Sequence, residues 1–356
     1  MNPRLVIDLK KLRHNAEFLT SLCEKNGLTL AAVTKVFCAE PRMVEVLADL
    51  TIQFLADSRM ENIASYPKGI AQQTMLLRLP TPEQASDVVR LCDVSLNSEI
   101  ETINQLGKAA SLQGKVHNVV IMVDLGDLRE GIYHDKMDEI FELCEIVDKW
   151  DFLRLAGIGT NLTCYGSVLP TEENIGKLCN IAEQIEEKFG IKLSIVSAGN
   201  SSSLNMLAEG KIPKKANNLR LGESIVCGLE TAHGEPFEGL EQDVVTLEAT
   251  IIEIAKKPSM PEGLTNINAF GEKINYIDRG EHLRAIVAVG RQDIVVDGLT
   301  PLNEGVEIVG ASSDHLILDI SRAAPLKVGD SLVFSLSYGA VLAAFTSKYV
   351  ERTFLD

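Results

Sequence analysis

The sequence predicts an α/β chain in which a (β/α)₈ TIM barrel is followed by a C-terminal all-β domain. Two textures carry that expectation. As far as about residue 230, short apolar runs alternate with longer amphipathic ones in eight strand–helix units, the number that closes such a barrel. After about Gly234, short alternating segments follow one another between turn residues, the pattern of a β domain. The composition agrees. The chain has 356 residues, 46% apolar and 24% charged, which excludes a disordered chain, a collagen-like fibre and a small disulfide scaffold.

The first barrel strand is expected over residues 28–35, a β-branched apolar run. A helix over 41–50 follows, with proline in its first turn. Further strands are expected over 54–57, 74–79, 94–97, 118–124, 154–160, 193–197 and 218–222. Helices between them are expected from Pro82 to Leu91, from Ser98 with Glu101 placed for a capping box, over 136–149, over 171–189, and briefly up to Glu209. In the second domain the alternating segments are 244–254, 283–289, 305–309, 316–320 and 331–336. The resulting domains are 1–10, a strand paired with the β domain; 11–232, the barrel; and 233–356, the β domain. A doubly wound open sheet shares the βα alternation, and periodicity leaves it open.

Charge and cysteines narrow the setting. With 34 basic and 50 acidic residues the net charge is −16, which disfavours a nucleic-acid partner. No apolar run reaches the ~20 residues of a membrane-spanning helix, and Asp8 interrupts the N-terminus too early for a signal peptide. Seven scattered cysteines without a C-x-x-C pair read as reduced thiols of a cytoplasmic protein. No metal-ligand pattern stands out.

Barrel enzymes build their sites at the C-terminal ends of the strands. The first strand ends in Lys35. There a lysine either escapes to solvent or, desolvated, becomes an amine suited to a Schiff base. The fifth ends in the charged loop Asp124-Leu-Gly126-Asp-Leu-Arg129-Glu-Gly131, the sixth in Gly159-Thr160-Asn161. The seventh ends in Asn200-Ser201-Ser-Ser203, which serves equally as an N-cap or as an anion turn. The eighth brings Arg220 and Gly222. A lysine amine opposite a phosphate cradle after strands seven and eight points to pyridoxal phosphate.

In these segments, and almost end to end, the chain resembles the alanine-racemase-like, fold-type III pyridoxal-phosphate enzymes, and most of all their ornithine racemase branch. Val33-Thr-Lys35 resembles the family's cofactor lysine segment. The loop from Val123 through Arg129 to Gly131 resembles the one whose arginine meets the cofactor's phenolic oxygen. Asn200-Ser201 is similar to the phosphate turn, and Leu219-Arg220-Leu-Gly222 to the strand whose arginine faces the pyridine nitrogen.

The resemblance implies a pyridoxal-phosphate-dependent racemase that interconverts L- and D-amino acids through an aldimine and Cα deprotonation, with ornithine ranked first and lysine, alanine or another amino acid as alternatives. A non-catalytic pyridoxal-phosphate-binding protein is the rival of a different class; the β domain argues against it. The resemblance implies Lys35 as Schiff-base residue and base, and Arg129, Asn161, Asn200, Ser201, Arg220, Gly222 and Glu223 around the cofactor. It also implies a homodimer with shared active sites. Arg291 occupies the position of the family's second acid/base, a tyrosine. Arginine is a poor proton shuttle, so Asp293, His315 and Tyr338 stand as candidates, and Asp314 as a substrate contact. Asn161 stands where alanine racemases carry a ring-stacking histidine, Ala39 near a phosphate-contacting tyrosine, and Met122 at a strand lysine. These departures imply a pocket shaped for a longer substrate than alanine.

Overall fold

The structure, a computed structural model, describes residues 2–356. The chain divides into two compact units, Lys11–Gln242 and a unit joining the residues up to Lys10 with Asp243–Asp356. Strand β1 (Arg4–Asp8) and helix α1 (Leu9–Lys25) open the chain. Then follow β2 (Thr29–Val33), α2 (Pro41–Ala48), β3 (Phe54–Asp57), α3 (Met60–Ala64), β4 (Gln73–Leu76), α4 (Ala85–Leu91) and β5 (Val94–Asn97). Next are α5 (Ile100–Gln113), β6 (His117–Asp124), the two-residue β7 (Ile132–Tyr133), α6 (Met137–Asp148), β8 (Leu153–Gly159) and α7 (Glu172–Phe189). The barrel ends with β9 (Ile195–Ser197), α8 (Leu204–Ala208), β10 (Asn218–Leu221) and α9 (Glu223–Cys227).

Eight parallel strands run in the order β5-β4-β3-β2-β10-β9-β8-β6, and pairing of β5 with β6 closes the ring. The sheet is therefore a barrel and not an open one. Its interior is filled by residues spaced two apart on each strand: Ala31 and Val33, Phe54 and Ala56, Val94 and Leu96, Val120 and Met122. That period puts one set of side chains inward while the other meets the helices. Each large apolar side chain buried this way contributes about 1.5–3 kcal/mol, and the ring fixes where every strand ends.

Several element edges differ from expectation, among them β4, which ends at Leu76, and β9, which begins at Ile195, and three further differences stand out. The first strand stops at Val33, and Lys35 opens a 3₁₀ turn, Lys35–Phe37. The capping box at Ser98 and Glu101 does not form. Helix α5 begins at Ile100 behind Glu99, so the two residues are out of capping register. The boxes lie instead at Thr81/Gln84 and Thr171/Asn174. The unit boundary falls at Gln242/Asp243, ten residues beyond the expected 232/233. Residues 229–242 stay with the barrel through the Leu229–Pro236 bridge and through buried Asn15, whose amide pairs with both Glu241 N and Glu241 O at 2.8 Å.

The second unit is a mainly antiparallel sheet of β11 (Val245–Pro258), β12 (Glu281–Val287), β13 (Leu299–Pro301), β14 (Glu307–Ala311), β15 (Leu316–Asp319) and β16 (Ser331–Leu336), ordered β13-β16-β11-β12-β15-β14. Helix α10 (Tyr338–Thr346) and β17 (Glu351–Leu355) complete it. Strand β1 lies between β11, antiparallel, and β17, parallel. The sequence reading anticipates neither α10 nor β17. Helix α10 carries three alanines and a leucine, strong helix formers.

Gly157 on β8 shows how tightly the ring is packed: a Cβ there would sit 1.8 Å from the Ile195 carbonyl oxygen of the neighbouring strand. Gly157→Ala is expected to cost about 3 kcal/mol or more and to lower the melting temperature by several degrees in a thermal-unfolding scan.

Candidate active site

Lys35 emerges just past β2, and the residue before it is fixed in place. The Thr34 hydroxyl donates to Asp57 Oδ2 at 2.6 Å and accepts from the Tyr66 hydroxyl at 2.8 Å. Asp57, at the end of β3, also accepts from Arg59 N and Asn62 Nδ2. After the lysine, Cys38 and Ala39 both take left-handed backbone conformations, φ 50° and 52°, strained for residues with a Cβ. Burial lowers the pKa of the Lys35 amine, and the nearby Arg129 guanidinium lowers it further. Across from it, burial pushes the Glu223 carboxyl up to about 7, against the pull of Lys35.

The loop after β6 brings Arg129. Asp124 turns it by accepting from Gly126 N at 2.8 Å and Leu128 N at 3.1 Å. Gly131 (φ 119°) closes the turn where a Cβ would meet Asp124 N at 2.8 Å. Arg129 forks onto the Glu130 carboxylate through Nε and Nη2. Glu130 in turn accepts from Asn161 Nδ2. Asn161 Oδ1 accepts from Arg220 Nη2 at 2.7 Å. Arg220, only 3% exposed at the end of β10, also donates to Thr160 O at 2.6 Å and to Ser197 Oγ. Three strand ends, those of β6, β8 and β10, thus share one hydrogen-bonded row, Arg129–Glu130–Asn161–Arg220. Burial lowers the Arg220 pKa to about 10, against the support of Glu130, so the guanidinium stays charged at neutral pH.

The loop carrying Asn161 is held by Asp127. Its carboxylate accepts from Cys164 N at 3.0 Å, Tyr165 N at 2.9 Å and Val168 N at 3.2 Å. Beyond β9, Asn200 Oδ1 caps Ser202 N, while Asn200 Nδ2 reaches Leu162 O at 3.0 Å and the Cys164 thiol at 3.3 Å. Ser201 Oγ lies 3.1 Å from Ser224 Oγ. Gly222 admits close backbone approach, since a Cβ there would meet Val33 Cβ at 2.9 Å. Thr160 Oγ1 and Ser202 Oγ are buried and make no hydrogen bond.

The barrel therefore gathers Lys35, Arg129, Asn161, Asn200, Ser201, Arg220, Gly222 and Glu223 at one end. The remaining candidates lie in the second unit. There Arg291 N and Gln292 N donate to Ser312 O and Ser313 O, so the turns holding Arg291, Asp293, Asp314 and His315 are adjacent. Arg291 pairs with Glu272 at 2.8 Å and stacks on Phe270 at 4.5 Å. Buried Asp293 accepts from Ser347 Oγ at 2.6 Å. His315 is exposed, 3.4 Å from Ser312 Oγ, and Tyr338 opens α10. Sequence reasoning missed Glu130 and Asp127 as site residues although both stand in the charged loop after β6; Asp127 is buried and Glu130 half-buried, and what sets them apart is their bonds to the segment around Asn161.

Residues 7–229 match the family model for the alanine racemase N-terminal domain. The chain belongs to this family. The alanine racemase family relatives include the ornithine racemase of Acetoanaerobium sticklandii, 44% identical over the whole of both chains. The lysine racemase of Thermotoga maritima is 36% identical over 99% of this chain and 98% of its own. Among solved structures, alanine racemase from Bartonella henselae with covalently bound pyridoxal phosphate covers 100% of both chains with a TM-score of 0.74 at 15% identity. It shares the barrel and β-domain fold.

The elevated Glu223 carboxyl makes stability depend on pH. A carboxyl whose pKa is higher folded than unfolded stabilises the fold below its unfolded value and loses that contribution as pH rises through the folded one. Glu223→Gln is therefore expected to raise the melting temperature of the ligand-free protein above pH 7 and to leave it unchanged below pH 4.5, the bounds set by its folded and ordinary values. Equal shifts at both pH values would overturn the assignment.

Proposed function

We propose that the protein is a pyridoxal-phosphate-dependent amino-acid racemase, an isomerase, that interconverts L- and D-ornithine, working in the cytoplasm as a homodimer with shared active sites. The observation that carries the reading is the 44% identity to an ornithine racemase over the full length of both chains. The lower identity to a lysine racemase ranks lysine second. Among the described residues no helix is long and apolar enough to cross a membrane.

The residues present fit the cofactor. Lys35 is a desolvated primary amine, Gly222 has no room for a side chain, and two buried hydroxyls, Thr160 just beyond β8 and Ser202 in the turn after β9, have unused hydrogen-bonding capacity. Lys35 would hold the aldehyde carbon, Ser201 with the backbone at Gly222 and Glu223 the phosphate, and Arg129 and Arg220 the ring. When bound, pyridoxal phosphate supplies a conjugated ring that draws electrons from the substrate Cα.

The chain's own groups set the rest. Lys35, with its pKa lowered, removes or returns the Cα proton on one face. Arg220 donates hydrogen bonds only and stays charged, so it leaves a nitrogen acceptor unprotonated. That tempers electron withdrawal and favours return of the proton over transfer of the amino group. The second proton carrier is assigned to the β domain, where Asp293, His315 and Tyr338 are the candidates. Arg291 is unsuited, because its hydrogen bond to Glu272 holds its pKa above the ordinary guanidinium range.

Proton NMR of L-ornithine with the cofactor-loaded protein in deuterated water, coupled to chiral analysis, tests the reading. Loss of the Cα proton signal together with formation of D-ornithine is expected. Lys35→Ala is expected to reduce both by ~10³-fold or more and to abolish the visible absorbance of the bound cofactor. Absence of both exchange and D-ornithine with a protein that is visibly yellow would overturn the racemase reading for this substrate.

Arg220→Glu places a carboxyl where a proton can be shared. It is expected to change the absorption spectrum and to admit side reactions, and an unchanged spectrum and selectivity would overturn the role given to Arg220.

A further inference from the structure

We propose that Glu130 is a positioning residue of this site, its carboxylate joining the Arg129 and Arg220 guanidinium groups through Asn161 and balancing their charge against a bound pyridoxal phosphate ring. The proposal rests on the cofactor reading above, and adds a residue which that reading does not use.

Geometry carries it. Arg129 offers a two-pronged contact, and Glu130 takes both prongs, the strongest arrangement a guanidinium and a carboxylate can form. One of its oxygens is shared with Asn161 Nδ2, and the opposite face of that amide, Oδ1, holds Arg220. The orientation of Asn161 is thereby determined: its nitrogen faces the carboxylate and its oxygen the guanidinium. The Glu130 side chain is 17% exposed, whereas Arg129 is 39% exposed, so the anion lies on the inner side of the pair.

Charge points the same way. Lys35, Arg129 and Arg220 bring three basic groups to one barrel mouth, and the Arg129 charge makes both Lys35 and Arg220 harder to keep charged, whereas Glu130 raises the pKa of Arg129 itself. Burial pushes the Glu130 carboxyl up, but its bond to Arg129 and the charges of both arginines outweigh this, and its pKa falls. It is therefore an anion throughout the working range. Asp127 and Asp124 spend their carboxylates on backbone N–H groups, and Glu223 has its pKa raised to about 7. Among these acidic neighbours Glu130 is the one bonded to the arginine row.

The test is a pH titration of the visible band of the cofactor-loaded protein, with the dissociation constant for pyridoxal phosphate as second readout. Removing the anion leaves the arginines' positive field uncompensated, which disfavours the protonated, cationic form of the chromophore. Glu130→Gln is expected to lower the titration midpoint by about one pH unit and to weaken cofactor binding several-fold. Should that variant fail to fold, Glu130→Asp keeps the charge but withdraws it, and a smaller shift in the same direction is expected.

A lower melting temperature with an unmoved midpoint would show a purely structural role and overturn the proposal. A wild-type protein that gains no visible band with pyridoxal phosphate would overturn the cofactor reading and this inference with it. A normal wild-type band that Lys35→Ala abolishes, beside an unshifted Glu130→Gln titration, would overturn this inference alone.

Discussion

Arg220 carries a full charge to the end of β10 with 3% of its surface exposed, and much of the barrel mouth is arranged around meeting that demand. An uncompensated buried ion costs several kcal/mol. The compensation comes from different strands: Ser197 from β9, Thr160 and Asn161 from just beyond β8, and Glu130 from the loop after β6. No local stretch of chain could assemble this set. It requires β6, β8, β9 and β10 to be neighbours in that order, which the parallel register supplies, with Met122 opposite Gly159 and Gly159 opposite Ser197. Gly159 belongs to the same solution. A Cβ there would lie 3.3 Å from Arg220 Nη1, so the missing side chain leaves the guanidinium its room.

Lys35 poses the opposite problem. The role proposed for it as an amine requires that it lose charge, and burial with a cationic neighbour lowers its pKa accordingly. What holds it is its backbone. Thr34 is anchored by Asp57 and Tyr66 before it, and two left-handed residues turn the chain sharply after it. The two groups therefore differ in how they are fixed: the arginine by side-chain partners, the lysine by the peptide on either side.

That difference explains what the sequence could disclose. The eight strands are legible because burial on both faces makes them short apolar runs between amphipathic helices, and the segments at their ends give Lys35, Arg129 and Arg220 directly. The capping signal at Ser98 misleads because the N-cap falls one residue later, at Glu99, which leaves Glu101 out of capping register. Helix α10 escapes because its almost uniformly apolar sequence has little amphipathic contrast to mark it in a β domain. Glu130 stands beside Arg129 in the sequence, yet its role depends on Asn161, 31 residues away. Periodicity cannot report such a partnership. The proposed second proton carrier is illegible for a related reason. The turns bearing Arg291, Asp293, Asp314 and His315 are brought together by contacts between residues about 20 apart, and residue type alone does not rank them.

Strain in the loops follows the same division of labour. The non-glycine residues with left-handed backbone, Cys38, Ala39, Leu128, Thr163 and Ser167, all lie in the connections that leave β2, β6 and β8 at the chemistry-bearing end. Each costs of order 1 kcal/mol or more, and nothing in the isolated segments would sustain it. The closed ring of hydrogen-bonded strands supplies the rigidity, and Asp124, Asp127 and Asp57 transmit it by gripping the backbone or side chains of the strained loops. These carboxylates sit between a stable scaffold and a strained mouth. Changes at them should therefore alter the positions of Lys35 and Asn161 before they unfold the barrel, because the ring's own packing and ladder do not pass through them.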